Sequence, residues 1–361
     1  MTNKRVYNFS AGPSTLPVPV LEKVAAQMLN YKDSGMSVME MSHRSSSYLT
    51  IFNETKDLLK KVLHIPDNYK ILFIQGGATQ QFSTIPLNLM KNGKADYIVT
   101  GAFSKKSAQE AQKFGDVHIV YNGADHQFKH IPTQEELDLS DDASYVHLCS
   151  NNTIYGTEWK YVPDTKGIPI VADMSSNILS KPINVSDYGM IYAGAQKNMG
   201  IAGLGVVIVR EDLIAEHQKD IPVLMEYNTI ADNDSMYNTP PTFSIYVLGL
   251  VLEWIDQMGG LEVMQKKNEE KAKLLYDYLD QSDFYKAHSD ADNRSIMNVT
   301  FTCPDKDLDA KFVKESIQAG MSNLKGHRSV GGIRASIYNA MPLEGVKALL
   351  DFMKKFEEEN K

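Results

Sequence analysis

Tyr188 to Val209, YGMIYAGAQKNMGIAGLGVVIV, sets one lysine between two apolar runs. Tyr188 to Ala193 and Gly205 to Val209 are short, continuous and rich in branched or aromatic side chains, the pattern of strands covered on both faces of a sheet. The segment between them reads as a loop. Gly194, Ala195, Gly200, Ala202 and Gly203 strip it of bulk, so a planar ligand or another backbone could come close to Lys197. A loop lysine is ordinarily a solvated surface charge; these neighbours argue for another use.

Upstream, Ile168 to Ala172 reads as a further buried strand, closed by Asp173 and followed by Met174, Ser175, Ser176 and Asn177. A carboxylate at the carboxyl end of a parallel strand sits where open α/β sheets bind ligands, and Lys197, one strand on, can face the same crevice. An aldehyde-reactive lysine, with an acid able to hold a pyridine nitrogen protonated, is the pairing that pyridoxal phosphate chemistry needs. Asp173 alone is equally readable as a helix cap.

Lys70 to Ile74 reads as another strand, and Gln75, Gly76, Gly77, Ala78 and Thr79 lead into a helix near Gln80. Free amides and the helix dipole make such a turn a phosphate cradle, although glycines also serve a plain tight turn. The stretch is neither GxxxxGK[ST] nor GxGxxG, so ATP and dinucleotides lose support. Strands at Tyr97 to Thr100, Val117 to Tyr121 and Tyr145 to Leu148, with a helix at Ser104 to Phe114, argue for βαβ units and a mainly parallel sheet. Phe103 and Thr153 lie just past strand ends: the ring could be core or could stack on a cofactor, and the hydroxyl could bond a phenolic oxygen.

Toward the N-terminus, Ser42, His43, Arg44 and Ser45 precede an amphipathic helix through Tyr48, Ile51, Phe52, Leu59 and Leu63. His43 and Arg44 are either solvated or placed to capture an anion. Toward the C-terminus, Pro222 to Tyr237 reads as polar and irregular, and Asn238 to Phe243 (NTPPTF) leads into an apolar helix ending before Gly259 and Gly260. A charged helix, Leu261 to Leu279, then links to a smaller unit with strands at Met297 to Thr302 and Ile333 to Ile337 and helices at Leu308 to Ala319 and from Leu343. Within it, Gly326 to Arg334 is basic and glycine-containing; its arginines are solvated charges or bidentate partners of carboxylate and phosphate.

Composition sets the bounds. At 361 residues, 43% hydrophobic and 23% charged, the chain is long enough for two domains and has no apolar run able to cross a bilayer. Its formal charge of −8 argues against generic nucleic-acid binding. The first residues lack the apolar core of a secretory signal, so the cytoplasm is the expected compartment. Cys149 and Cys303 are too few for a disulfide framework, and His126 and His130 have no third ligand at a zinc spacing, so no metal is expected.

Taken in order, NFSAGP, SVMEMSHR, GGATQQF, ADMSSNILS, YAGAQKN, NTPPTF and GHRSVGGIRASIYNAM closely resemble the phosphoserine aminotransferase family, class-V aminotransferases of pyridoxal phosphate fold type I. The resemblance implies the aspartate aminotransferase fold: an α/β architecture with a large cofactor-binding domain around a mainly parallel seven-stranded sheet (16–260) and a smaller α/β domain (1–15 with 261–361). It implies a homodimer with shared active sites, glutamate and 3-phosphohydroxypyruvate as substrates, and also a four-carbon phosphorylated hydroxy keto acid of pyridoxine synthesis. By position, Lys197 would join the cofactor's aldehyde, Asp173 would hold the pyridinium, Phe103 would stack on the ring and Thr153 would bond its oxygen. Ala78, Thr79 and Gln196 would hold the cofactor phosphate, with Asn238 and Thr239 coming from the partner subunit. Arg334 would bind the substrate carboxylate; His43, Arg44, His327 and Arg328 would meet the substrate phosphate or the glutamate side chain. One departure stands out: other members carry an arginine where this chain has Thr79.

Two other classes compete with a transaminase. A desulfurase or kynureninase-like lyase would keep the cofactor, the former needing a mobile reactive cysteine. A noncatalytic phosphate-ligand binder would leave Lys197 structural.

Overall fold

The computed structural model describes residues 5–215 and 220–361. Its seven-stranded sheet runs in the order Tyr69–Gln75, Leu204–Arg210, Met190–Gly194, Ile170–Asp173, Val146–Cys149, Lys94–Val99, Asp116–Asn122. All pairings are parallel except those of Leu204–Arg210, which lies antiparallel to both neighbours. The mainly parallel α/β sheet expected from the sequence is therefore present, with one reversed strand. Because Met190–Gly194 and Leu204–Arg210 follow one another and pair directly, Lys197 sits in the connection between two antiparallel strands.

Alternate residues of these strands enter two layers, as the period of the pleat requires. Ile71, Phe73, Ile191, Ala193, Val206 and Ile208 pack in one core with helices Ser46–Leu63 and Thr242–Gln257. Leu72, Ile74, Tyr192, Val207 and Val209 face the other way, toward helices Gly77–Leu89 and Ala102–Ala111. Helix Ser46–Leu63 forms because its apolar residues recur at helical spacing and Ser45 caps it by accepting from the Tyr48 N–H. It ends where His64 turns left-handed, at φ 50°. Its Phe52 and Leu59 are fully buried, each contributing about 1.5–3 kcal/mol. A Leu59→Ala cavity would cost about 2–5 kcal/mol.

A third core gathers Phe9 with residues from Ala272 onward. Here helices Gly260–Gln281, Lys306–Gln318 and Leu343–Asn360 accompany an antiparallel sheet of Lys286–Ala287, Asn298–Thr302 and Ile333–Ser336. Tyr7–Asn8 pairs parallel with Met321–Ser322, which ties the N-terminal segment to this core. Residues 1–4 of the expected 1–15 segment, and 216–219 of the expected 16–260 domain, lie outside the described residues. The contact between this core and the large sheet includes a polar seam: Asn151 Nδ2 donates to Asn298 Oδ1 (2.8 Å), and Ser295 Oγ donates to Asn151 Oδ1 (2.5 Å).

One reading needs correcting. Pro222 to Tyr237 is not wholly irregular, since Tyr227–Asp232 is helical. Its anchor, Tyr227, is fully buried and donates its hydroxyl to Gln81 Oε1 at 2.5 Å, so tertiary packing overrides a polar local sequence. Among the described residues no helix is long and apolar enough to cross a membrane, and no group of three or more His, Cys, Asp or Glu side chains could hold a metal.

Candidate active site

The carboxyl ends of Ile170–Asp173, Met190–Gly194 and Val146–Cys149, with the start of helix Gly77–Leu89, surround a cavity of about 420 Å³. That volume suits a small organic ligand. Lys197 reaches into it from the turn after Met190–Gly194 and donates its Nζ hydrogen to Thr153 Oγ1 at 2.9 Å. The Phe103 ring, at the second position of helix Ala102–Ala111, has its centroid 5.7 Å from the same Nζ. The N-terminal segment crosses behind the lysine: Ser14 Oγ donates to the Lys197 carbonyl at 2.9 Å, and the Ser14 N–H to the Gln196 carbonyl at 3.0 Å. Gly12, at φ 147°, allows that crossing, because residues with a side chain rarely adopt this backbone conformation.

Asp173 closes its strand and is almost fully buried on the cavity wall. Burial raises its pKa; hydrogen bonds from Ser175, the charge of Lys197 and a hydrogen bond from Tyr192 oppose the rise without cancelling it. The Ser175 N–H donates to Oδ1 at 2.9 Å. A carboxylate left in this condition lacks a close cation, and a protonated ring nitrogen is a group that would supply one.

Gly76, at φ 95°, swings the chain from strand Tyr69–Gln75 into helix Gly77–Leu89, which has no side-chain cap. Ala78 and Thr79 in its first turn line the cavity, so unsatisfied amides and the positive end of the helix face it. Gln196 lines the same wall. A lysine amine, a buried acid, an aromatic ring and an anion cradle thus surround one space. This donor set fits pyridoxal phosphate: Lys197 for the aldehyde, Asp173 for the ring nitrogen, and Ala78, Thr79 and Gln196 for the phosphate.

The outer wall is cationic. Arg334, on strand Ile333–Ser336, donates to the Thr153 carbonyl at 3.4 Å and lines the cavity with His327. Burial lowers the His327 pKa, and Arg334, Arg328 and Lys106 lower it further by repulsion. Burial also lowers that of Arg334. The charges of Arg334, Arg328 and Lys106 around this opening attract an anion.

Not every predicted residue reaches this space. Arg328 is exposed beside His327 and does not line the cavity. His43 and Arg44 precede helix Ser46–Leu63, also outside it, and His43 Nε2 is buried without a partner among the described residues. Asn238 and Thr239 are exposed beyond Gln75, whose Nε2 donates to the Thr239 carbonyl at 2.7 Å. Lys106 is a residue that the sequence reading missed; its Nζ lies 5.8 Å from the Phe103 ring centroid. Its position three residues after Phe103 on one helix face was an available signal. Tyr192 and His147, read only as strand residues, stand behind Asp173 with no signal in the sequence to mark them.

A family model described as aminotransferase class-V matches residues 6–349. The phosphoserine aminotransferase of Bacillus cereus is 51% identical over 359 residues, 99% of this chain and 100% of the relative. The solved structure of phosphoserine aminotransferase from Bacillus circulans subsp. alkalophilus superposes with a TM-score of 0.97 at 48% identity, covering 99% of both chains. A pyridoxal phosphate-bound phosphoserine aminotransferase from Trichomonas vaginalis does so with a TM-score of 0.93 at 42% identity, over 97% of this chain and 100% of that one. With a family model matched almost end to end and full-length relatives at half identity, the chain belongs to the class-V aminotransferase family, in its phosphoserine aminotransferase branch.

Proposed function

We propose that this chain catalyses reversible amino transfer between L-glutamate and 3-phosphohydroxypyruvate, giving 2-oxoglutarate and O-phospho-L-serine in serine biosynthesis. The convergence of Lys197, Asp173 and an uncapped helix start beneath a cationic rim carries the reading. Bound pyridoxal phosphate supplies an electron sink for charge developing at the substrate α-carbon. Lys197 acts as the base that takes a proton from that carbon and returns one. Thr153 aims Nζ and would bond the ring oxygen of the cofactor, Asp173 would keep its ring nitrogen protonated, and Phe103 would cover the ring. Arg334 binds the substrate carboxylate, while His327 and Arg328 favour a phosphate or a second carboxylate at the mouth.

His43, Arg44, Asn238 and Thr239 lie outside the cavity of their own chain, which supports a homodimer in which a second copy brings such residues to the site. Asn238 and Thr239 then complete the hold on the cofactor phosphate, and His43 and Arg44 the hold on the substrate's second anionic group. The separate core shared by Phe9 and the chain after Ala272 supports a division into a large domain, 16–260, and a small one, 1–15 with 261–361. The same mouth would take the four-carbon phosphorylated hydroxy keto acid of pyridoxine synthesis, and the cytoplasm is the proposed compartment. A desulfurase is disfavoured because Cys149 and Cys303 are buried and burial pushes both thiols up, away from the reactive thiolate.

The test uses the cofactor-loaded protein. Glutamate should bleach the visible cofactor band and 3-phosphohydroxypyruvate should restore it, with phosphoserine formed and neither change in Lys197→Ala. Bleaching without restoration by the phosphorylated acid would overturn the acceptor assignment.

A further inference from the structure

Four side chains stand in a row on one face of the sheet because the strand register puts them there. Tyr97 pairs with His147, Cys149 with Asp173, and Asp173 with Tyr192. His147 lies two residues before Cys149, so it shares the face of Asp173. Tyr192 and His147 are both fully buried, with Tyr192 Oη 2.9 Å from His147 Nε2. The Tyr97 ring stacks on His147 at 4.7 Å, and Ser107 Oγ lies 3.3 Å from Nε2. On the other side Tyr192 is the register partner of Asp173 on the neighbouring strand, and its hydroxyl acts to lower the pKa of that acid. The opposite ring nitrogen, His147 Nδ1, is buried with no partner among the described residues.

The hydrogens can be placed from these contacts. Burial drives the His147 pKa down to about 3, so the ring is neutral and carries one N–H. On Nδ1 that hydrogen would find no acceptor, and Nε2 would draw the Tyr192 hydrogen away from Asp173. On Nε2 it donates to Tyr192 Oη or Ser107 Oγ, and the Tyr192 hydrogen is free for the carboxylate. The second arrangement gives the ring N–H an acceptor and leaves the Tyr192 hydrogen for the carboxylate.

We propose that His147 and Tyr192 are positioning residues that hold Asp173 as an anion facing the ring nitrogen of the bound cofactor, His147 Nε2–H fixing the tyrosine so that its hydroxyl donates to the carboxylate. The inference rests on the cofactor assignment above. Without the tyrosine hydrogen, a buried carboxylate already short of partners takes the proton back from the ring, and the electron sink weakens.

Reconstitution with pyridoxal phosphate labelled with 15N in the ring reads this directly, since the nitrogen resonance separates protonated from neutral pyridine. The wild-type protein should show the protonated ring at pH 8. Tyr192→Phe should shift the neutral-to-protonated ratio by on the order of tenfold or more, the effect of losing one hydrogen bond to a charged group. His147→Phe, which keeps a stacked ring but no donor, should move it the same way by less, and His147→Gln, which restores an N–H donor, should return the wild-type resonance. An N-methylated cofactor, charged without a proton, should erase the difference in glutamate half-reaction rate between wild type and Tyr192→Phe. A wild-type resonance in folded, loaded Tyr192→Phe overturns the proposal. If that variant does not fold, equal resonances in His147→Phe and His147→Gln overturn it instead. Absence of any cofactor band in the wild-type protein would defeat the cofactor reading itself, and this inference with it.

Discussion

Two buried carboxylates, Glu158 and Asp173, have opposite electrostatic fates. Glu158 ends the short strand Thr157–Glu158 and is fully buried, yet its pKa lies below the ordinary value. Burial pushes it up, and Lys181 (2.8 Å), Lys160 (3.3 Å) and the Ile296 N–H (3.2 Å) together outweigh that push. Asp173 has a raised pKa because Ser175, Lys197 and Tyr192 do not offset its burial. Glu158 is a completed tie between strand Thr157–Glu158 and the seam near Ser295. Asp173 is an incomplete site, and a structure that supplies two lysines to one buried acid but leaves another short keeps the second for something not covalently part of the chain.

Removing each charge should separate the two. Asp173→Asn is expected to cut amino transfer by about 10²–10³-fold, as loss of a charge stabiliser does, while the ligand-free protein stays at least as stable as wild type. Single-turnover kinetics with glutamate and urea unfolding of the unloaded protein check the two halves, and a large loss of stability would break the contrast. Glu158→Gln should do the reverse. Leaving Lys181 and Lys160 unpaired should cost about 2–3 kcal/mol, discounted because both ammonium groups reach solvent, with the half-reaction of the folded enzyme little changed.

Acid titration sharpens the same difference at the level of about 1 kcal/mol. A depressed carboxyl contributes stability that is present above its unfolded value, near 4.3, and is lost as pH falls through the folded one; Glu158→Gln should flatten this acid limb. A raised carboxyl works oppositely. Its cost grows as pH rises from the unfolded value, near 3.9, through the folded one, so Asp173→Asn should steepen the gain in stability over that window. Urea midpoints of unloaded proteins between pH 3 and pH 7 report both signs. The smallest effect belongs to an exposed charge: Lys106→Ala should raise KM for the phosphorylated acceptor about two- to fivefold and leave that for glutamate less affected.

The large sheet was legible because its strands are continuous apolar runs between glycine-rich or polar turns, and Lys197 because small residues surround it. The direction of Leu204–Arg210 was not, since an apolar run reads alike both ways and its pairing with Tyr69–Gln75 is set by distant contacts. Helix Tyr227–Asp232 escaped because one buried tyrosine, not a periodic pattern, holds it. Thr153, Phe103 and Arg334 could be nominated from strand ends, glycine context and family motifs. Tyr192 and His147 could not, because the register that aligns them with Asp173 joins three separate strands.

The reversed strand has a consequence for how the chain reaches this structure. Leu204–Arg210 can zip onto Met190–Gly194 as soon as the short lysine connection closes, a local step with little loop entropy. Its other edge must wait for Tyr69–Gln75, from far earlier in the chain. The lysine loop should therefore acquire amide-exchange protection early in refolding, before Gly76 and Gly77 dock the anion-binding helix beside it. The two halves of the cofactor's seat would mature at different times, and pulse-labelled exchange would resolve them.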